Sequence, residues 1–123
     1  MQRGRLTAFV VDPDGARLDT RLTRLARAGI AATGETSLDD ALDTVARGAF
    51  AVVETRLDLG PHAPCAGLEV AAEALRRGVE RVVVVTGARA PGARIARRLG
   101  VHVLPRPPLP ARLLGPPSTR AHR

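Results

Sequence analysis

The chain contains no lysine, no tryptophan and no tyrosine, and its only aromatic residues are Phe9 and Phe50. Chemistry that needs a lysine ammonium is therefore excluded. So few aromatics also argue against the stacking platform by which many proteins hold single-stranded nucleic acid. The one cysteine, Cys65, cannot form an internal disulfide, which favours a reducing compartment and makes the cytoplasm the expected location. No apolar run approaches the length of a membrane span, and no apolar stretch follows Arg3 and Arg5 as a secretory signal would require. No membrane partner is expected. Nucleotide-binding glycine loops and the G-x-S-x-G elbow are absent as well, so nothing here makes the case for an enzyme.

What is present is ordinary globular material. At 123 residues, 45% hydrophobic and 25% charged, the chain fits one domain that buries roughly two-thirds of its unfolded surface. Residues 6–11 (LTAFVV) form an apolar run that ends at the turn signal Asp12-Pro13-Asp14-Gly15, which predicts a buried strand. Leu18, Leu22 and Leu25 then recur at helical spacing, with Arg17, Arg21, Arg24 and Arg27 assigned to the polar face of a helix over about 14–28. A weaker strand is expected over 29–33, followed by a helix capped by Ser37 that ends near Gly48. A third strand is expected over 50–54, a loop through 60–65 and a third helix beginning near Leu68. Residues 81–86 (RVVVVT) read as a central strand, a short helix carries Ile95 and Leu99, and a last strand spans 101–104. Residues 1–114 are expected to make one domain, with 115–123 as a disordered tail.

Strands alternating with helices predict an α/β fold: a doubly wound, five-stranded parallel sheet in the flavodoxin-like order 2-1-3-4-5, with helices on both faces. Ligand sites in such folds lie at the carboxyl ends of the central strands. Asp12, Glu54, Thr86 and Arg106 occupy those ends.

In the segments VVDPDG, AVVETRL, VVVVTG and VLPRPP, together with Gly67-Leu68, the chain resembles the receiver domains of two-component response regulators over nearly its whole length. Those domains have two acids after the first strand, a phosphorylated Asp ending the third, Ser or Thr ending the fourth and Lys-Pro after the fifth. The resemblance implies a carboxylate pocket that holds Mg²⁺ while hydroxyl and ammonium groups take the phosphoryl oxygens. Here Asp12 fits the first acidic position, but Pro13 fills the second and carries no side-chain oxygen. Asp14, one residue on, serves equally as a helix N-cap. Glu54 stands at the phosphoacceptor position and Arg106 at the lysine position, whereas Thr86 and Pro107, at the place of a cis-proline, match unaltered. The family's switch aromatic on the fifth strand matches near Val103.

These departures predict a degenerate receiver, with Arg106 pairing bidentately to Glu54, Mg²⁺ binding weak or absent and no other cofactor. Asp58 is a rival phosphoacceptor, placed beyond the strand. His62 and Cys65 do not make a zinc site, and His102 is expected on a buried strand.

Charge is unevenly spread. Residues 1–75 hold 8 arginines and 11 acids, a net −3, whereas residues 76–123 hold 11 arginines and 1 acid, a net +10. Arg94, Arg97 and Arg98 are the expected docking residues for an acidic protein surface, whether a kinase, an output protein or a second copy. A weak, nonspecific attraction for nucleic acid is the rival expectation, and a solvated basic helix face is the plain one. GC-rich codon usage would produce the same arginine bias.

Overall fold

A computed structural model of the protein describes residues 7–86 and 102–105, with Arg94 and Arg97 as two further helical positions. Its elements run β1 (Thr7–Val11), α1 (Gly15–Arg27), β2 (Ala31–Glu35), α2 (Leu38–Arg47), β3 (Val52–Arg56), α3 (Gly67–Arg76), β4 (Arg81–Thr86) and β5 (His102–Pro105). The strands form one five-stranded sheet in the order β2-β1-β3-β4-β5, and every pairing is parallel. The predicted architecture is the observed one.

Alternation along the strands assigns each side chain to a face. Phe9 and Val11 of β1, Val53 of β3 and Val82 and Val84 of β4 pack with Ala41, Val45, Val70, Ala71 and Ala74 of α2 and α3. Ala8, Val10 and Val52 point the other way, onto Leu18 and Leu25 of α1. Helices thus cover both faces, and β1 and β4 are almost wholly apolar because neither face meets water, whereas β3 buries Glu54 and Thr55.

Caps fix where the first two helices begin. The Asp14 side chain accepts a hydrogen bond from the Arg17 backbone N–H at 3.0 Å, and Ser37 Oγ accepts one from the Asp40 N–H at 3.2 Å. The bounds of β1, β2, β3 and β5 differ from expectation by one or two residues. β2 starts at Ala31, two residues later than the pattern suggested, because Gly29, at φ +83°, closes the end of α1 and Ile30 returns its N–H to the Leu25 carbonyl. β3 begins at Val52 and continues through Arg56, so Glu54 lies in mid-strand, opposite Val10 and Val83, rather than at its end. β5 covers His102–Pro105, and His102 is exposed instead of buried. Val103 is partly buried against the core on the α2 and α3 side.

Arg98, Arg106, Pro107, the region about Leu109 to Leu114 and the tail at 115–123 lie outside the described residues. Among the described residues, no helix is long and apolar enough to cross a membrane.

A candidate functional site built on two arginine–carboxylate pairs

Helix α1 leaves β1 through the turn at residues 12–14 and runs back over the sheet. Its polar side chains, one turn apart, therefore pass above the end of β1 and the middle of β3. Two of them reach down. Arg17 meets Asp12 in a bidentate pair, with Nε donating to Oδ2 at 2.6 Å and Nη2 to Oδ1 at 2.7 Å. The Asp14 backbone N–H adds a third donor to Asp12 Oδ1 at 2.9 Å. Arg21 meets Glu54 in the same way, with Nη2 to Oε1 at 2.7 Å and Nε to Oε2 at 3.1 Å.

The two pairs differ in their surroundings. Arg17 is half-exposed and reaches Asp12 from the rim, whereas the Arg21 and Glu54 side chains are only 9% and 7% exposed. A charge withdrawn from water that far is tolerated only when paired and hydrogen-bonded, and here both partners are. No buried side-chain nitrogen or oxygen among the described residues lacks a partner. Asp12 holds the Arg17 guanidinium above its ordinary pKa, chiefly through their side-chain hydrogen bonds. Asp14 is held below the usual carboxylate value, first by the Arg17 backbone N–H it caps.

Two expectations need correcting. Arg21 was assigned to the polar face of α1, yet it is buried. Glu54 was expected to pair with Arg106; both of its oxygens are instead occupied by Arg21. The sequence held a signal for this. Leu18, Arg21, Leu22 and Leu25 follow the spacing i, i+3, i+4, i+7, which places Arg21 inside the apolar stripe, and an acid in mid-strand on that face requires a cation. Arg17, another arginine of the expected polar face, is the partner of Asp12, five residues away across the helix start.

Thr86 ends β4 and is buried at 5% exposure. It lines a cavity of about 200 Å³ together with Arg17, Arg56, Leu57, Asp58 and Val85. Glu54 is not part of that lining; both of its oxygens are turned to Arg21 of α1. Asp58 is exposed, and its Oδ1 accepts the Cys65 N–H at 2.8 Å, which ties the loop leading to α3. Cys65 itself has φ +61°, in the left-handed region. Among the described residues, no group of three or more His, Cys, Asp or Glu side chains is placed to hold a metal ion. Arg94 and Arg97 are exposed helical positions.

No family model matches the chain, and no curated protein matches it in sequence. Solved structures do match. A response regulator receiver domain protein from Clostridium thermocellum superposes with a TM-score of 0.74 at 18% identity, over 88% of this chain and 87% of that one. One from Methanospirillum hungatei gives 0.74 at 22%, covering 89% and 88%. A response regulator from Burkholderia pseudomallei, solved with a phosphorylated aspartic acid, calcium and citrate, gives 0.76 at 24%, over 89% of this chain and 64% of that one. The chain has the fold of response regulator receiver domains.

Proposed function

We propose that this chain is a receiver-like signalling module of a two-component system that acts by binding a protein partner and does not accept a phosphoryl group. The observation that carries this reading is the Arg21–Glu54 pair. At the position matching the family's phosphoacceptor stands a longer carboxylate, turned toward α1, with both oxygens held by a guanidinium. A carboxylate must attack phosphorus with a free lone pair in line with the leaving group. Glu54 has neither the freedom nor the direction. Val103 in place of the family's switch aromatic removes the coupling by which such a site would report outward.

The partner surface is placed on the basic half of the chain, where Arg94 and Arg97 are exposed, and the partner is an acidic protein face, a kinase or an output protein. The fold and this chemistry fit work in the cytoplasm, without enzymatic activity of the chain's own.

The test is to incubate the protein with a small-molecule phosphodonor and Mg²⁺ and to read the intact mass. No phosphoryl adduct is expected. Stable incorporation mapped to Glu54 or Asp58 would replace this reading with that of an ordinary receiver using a nonstandard pocket. Glu54→Asp alone is expected to remain inert, because Pro13, Arg21 and Arg106 stay unfavourable.

A further inference from the structure

The receiver fold implies a divalent cation beside the first acidic residue, and the residues here do not fit one. Mg²⁺ requires near-octahedral oxygen ligands and is held by carboxylates with free lone pairs. Asp12, at 5% exposure, already receives three N–H donors, two from Arg17 and one from the Asp14 backbone. Pro13 offers no side-chain oxygen, and Glu54 is committed to Arg21.

We propose that Arg17 is an internal counter-ion that stands in place of a divalent cation at Asp12, and that its guanidinium is the group that competes most directly with metal for this carboxylate. Three observations converge on it. The Asp12 carboxylate is too deeply withdrawn from water to stand unneutralised, so something cationic has to meet it. Arg17 meets it in fork geometry, which engages both oxygens at once and, with the Asp14 N–H, fills three of the roughly four acceptor sites of the carboxylate. Arg17 also stands at the boundary of the 200 Å³ cavity whose wall carries Asp58, of which only Oδ1 is used by the loop. Taking the guanidinium away would open Asp12 toward this space of about 200 Å³, whose wall carries a second carboxylate, Asp58, beside the guanidinium of Arg56. Arg17 is itself half-exposed and based on the first turns of α1, so its removal takes little packing from the core, and the cost falls on Asp12, left without a counter-ion until a cation meets it.

The consequence for signalling is that the site's charge is set by the chain and does not follow the concentration of divalent ions. This rests on the same pocket as the proposed function, but the two can fail separately. Phosphodonor inertness tests Glu54, whereas metal binding tests Arg17.

The experiment is Mn²⁺ titration read by the loss of the free-ion paramagnetic resonance signal, on the full chain and on Arg17→Ala, with Arg17→Gln as a second variant that keeps a donor but no charge. Far-UV circular dichroism checks folding. Wild-type protein is expected to leave Mn²⁺ free at millimolar concentration. Both variants should bind it about tenfold or more tightly, as removal of one charge at contact distance implies, and Arg17→Ala combined with Asp12→Asn should lose the gain. Wild-type binding equal to that of the variants would overturn the proposal, as would folded variants of both kinds with no gain.

Discussion

Arg21 and Glu54 stand 33 residues apart in the chain and 2.7 Å apart in space, and their pairing joins α1 to the central strand β3 across the sheet face. With Val10 and Val52 beside it and Leu18 and Leu25 on the helix above, the pair is a fully charged contact set in an apolar layer. A contact of this kind fixes how α1 sits more than it adds net stability, since desolvation of the two charges offsets their attraction.

Removing one partner should therefore cost far more than removing both. Arg21→Met is expected to destabilise the fold by about 3–5 kcal/mol, because it leaves Glu54 buried and uncompensated, while Arg21→Met with Glu54→Leu should recover most of that loss. Urea unfolding followed by far-UV circular dichroism measures both, since the chain has no tryptophan to report. A double variant as unstable as the single one would show that the pair contributes through its charges after all.

The turn before α1 carries a pH signature. Asp14 has its pKa lowered in the folded protein, first through the Arg17 N–H and also through the charges of Arg17 and Arg56. A carboxyl depressed on folding stabilises the native state above its unfolded pKa, and that contribution is lost as pH falls through the folded value. Asp14→Asn keeps an oxygen for the cap but removes the charge. Relative to wild type, its stability should be lower at neutral pH and converge as pH falls through the depressed folded-state value. Asp14→Ala should lose the cap as well and stay below both at every pH.

Gly67 opens α3 so close to β3 that a β-carbon there would fall inside van der Waals contact of the Arg56 carbonyl oxygen. The neighbour is backbone and cannot swing aside. Gly67→Ala should destabilise by about 1–3 kcal/mol, measurable in the same urea titration, and should shift the Asp58 to Cys65 loop that leads into the helix.

Order and parallel sense of the strands were legible because each strand is a short apolar run closed by a turn signal, and each helix repeats its leucines or alanines at three and four. The Asp14 and Ser37 caps were legible for the same local reason. Long-range pairing was not. Nothing in the spacing of Glu54 says which of 19 arginines it will meet, and a polar residue closing an apolar run looks like a strand end even when the strand goes on for two more residues. Arg21 shows the limit most clearly: read as one of four arginines it belongs to the polar face, and only its place within the leucine stripe reveals it as buried.

The last prediction separates an acidic protein partner from nucleic acid. Arg94 and Arg97 are exposed, so reversing their charge to Glu should leave the circular dichroism spectrum and urea midpoint nearly unchanged, exposed charges contributing little to stability. If they dock an acidic protein face, the reversal should abolish partner binding, chiefly by slowing association where the charges steer the encounter. Wild-type protein should also bind duplex DNA weakly and without sequence preference, because 11 arginines against 1 acid in residues 76–123 attract phosphate. That binding should collapse between about 50 and 200 mM salt, as counterion release requires. DNA binding that keeps its affinity at about physiological salt and prefers one sequence would move the basic half from protein docking to nucleic-acid recognition, since such discrimination needs contacts to base edges that bulk charge cannot supply.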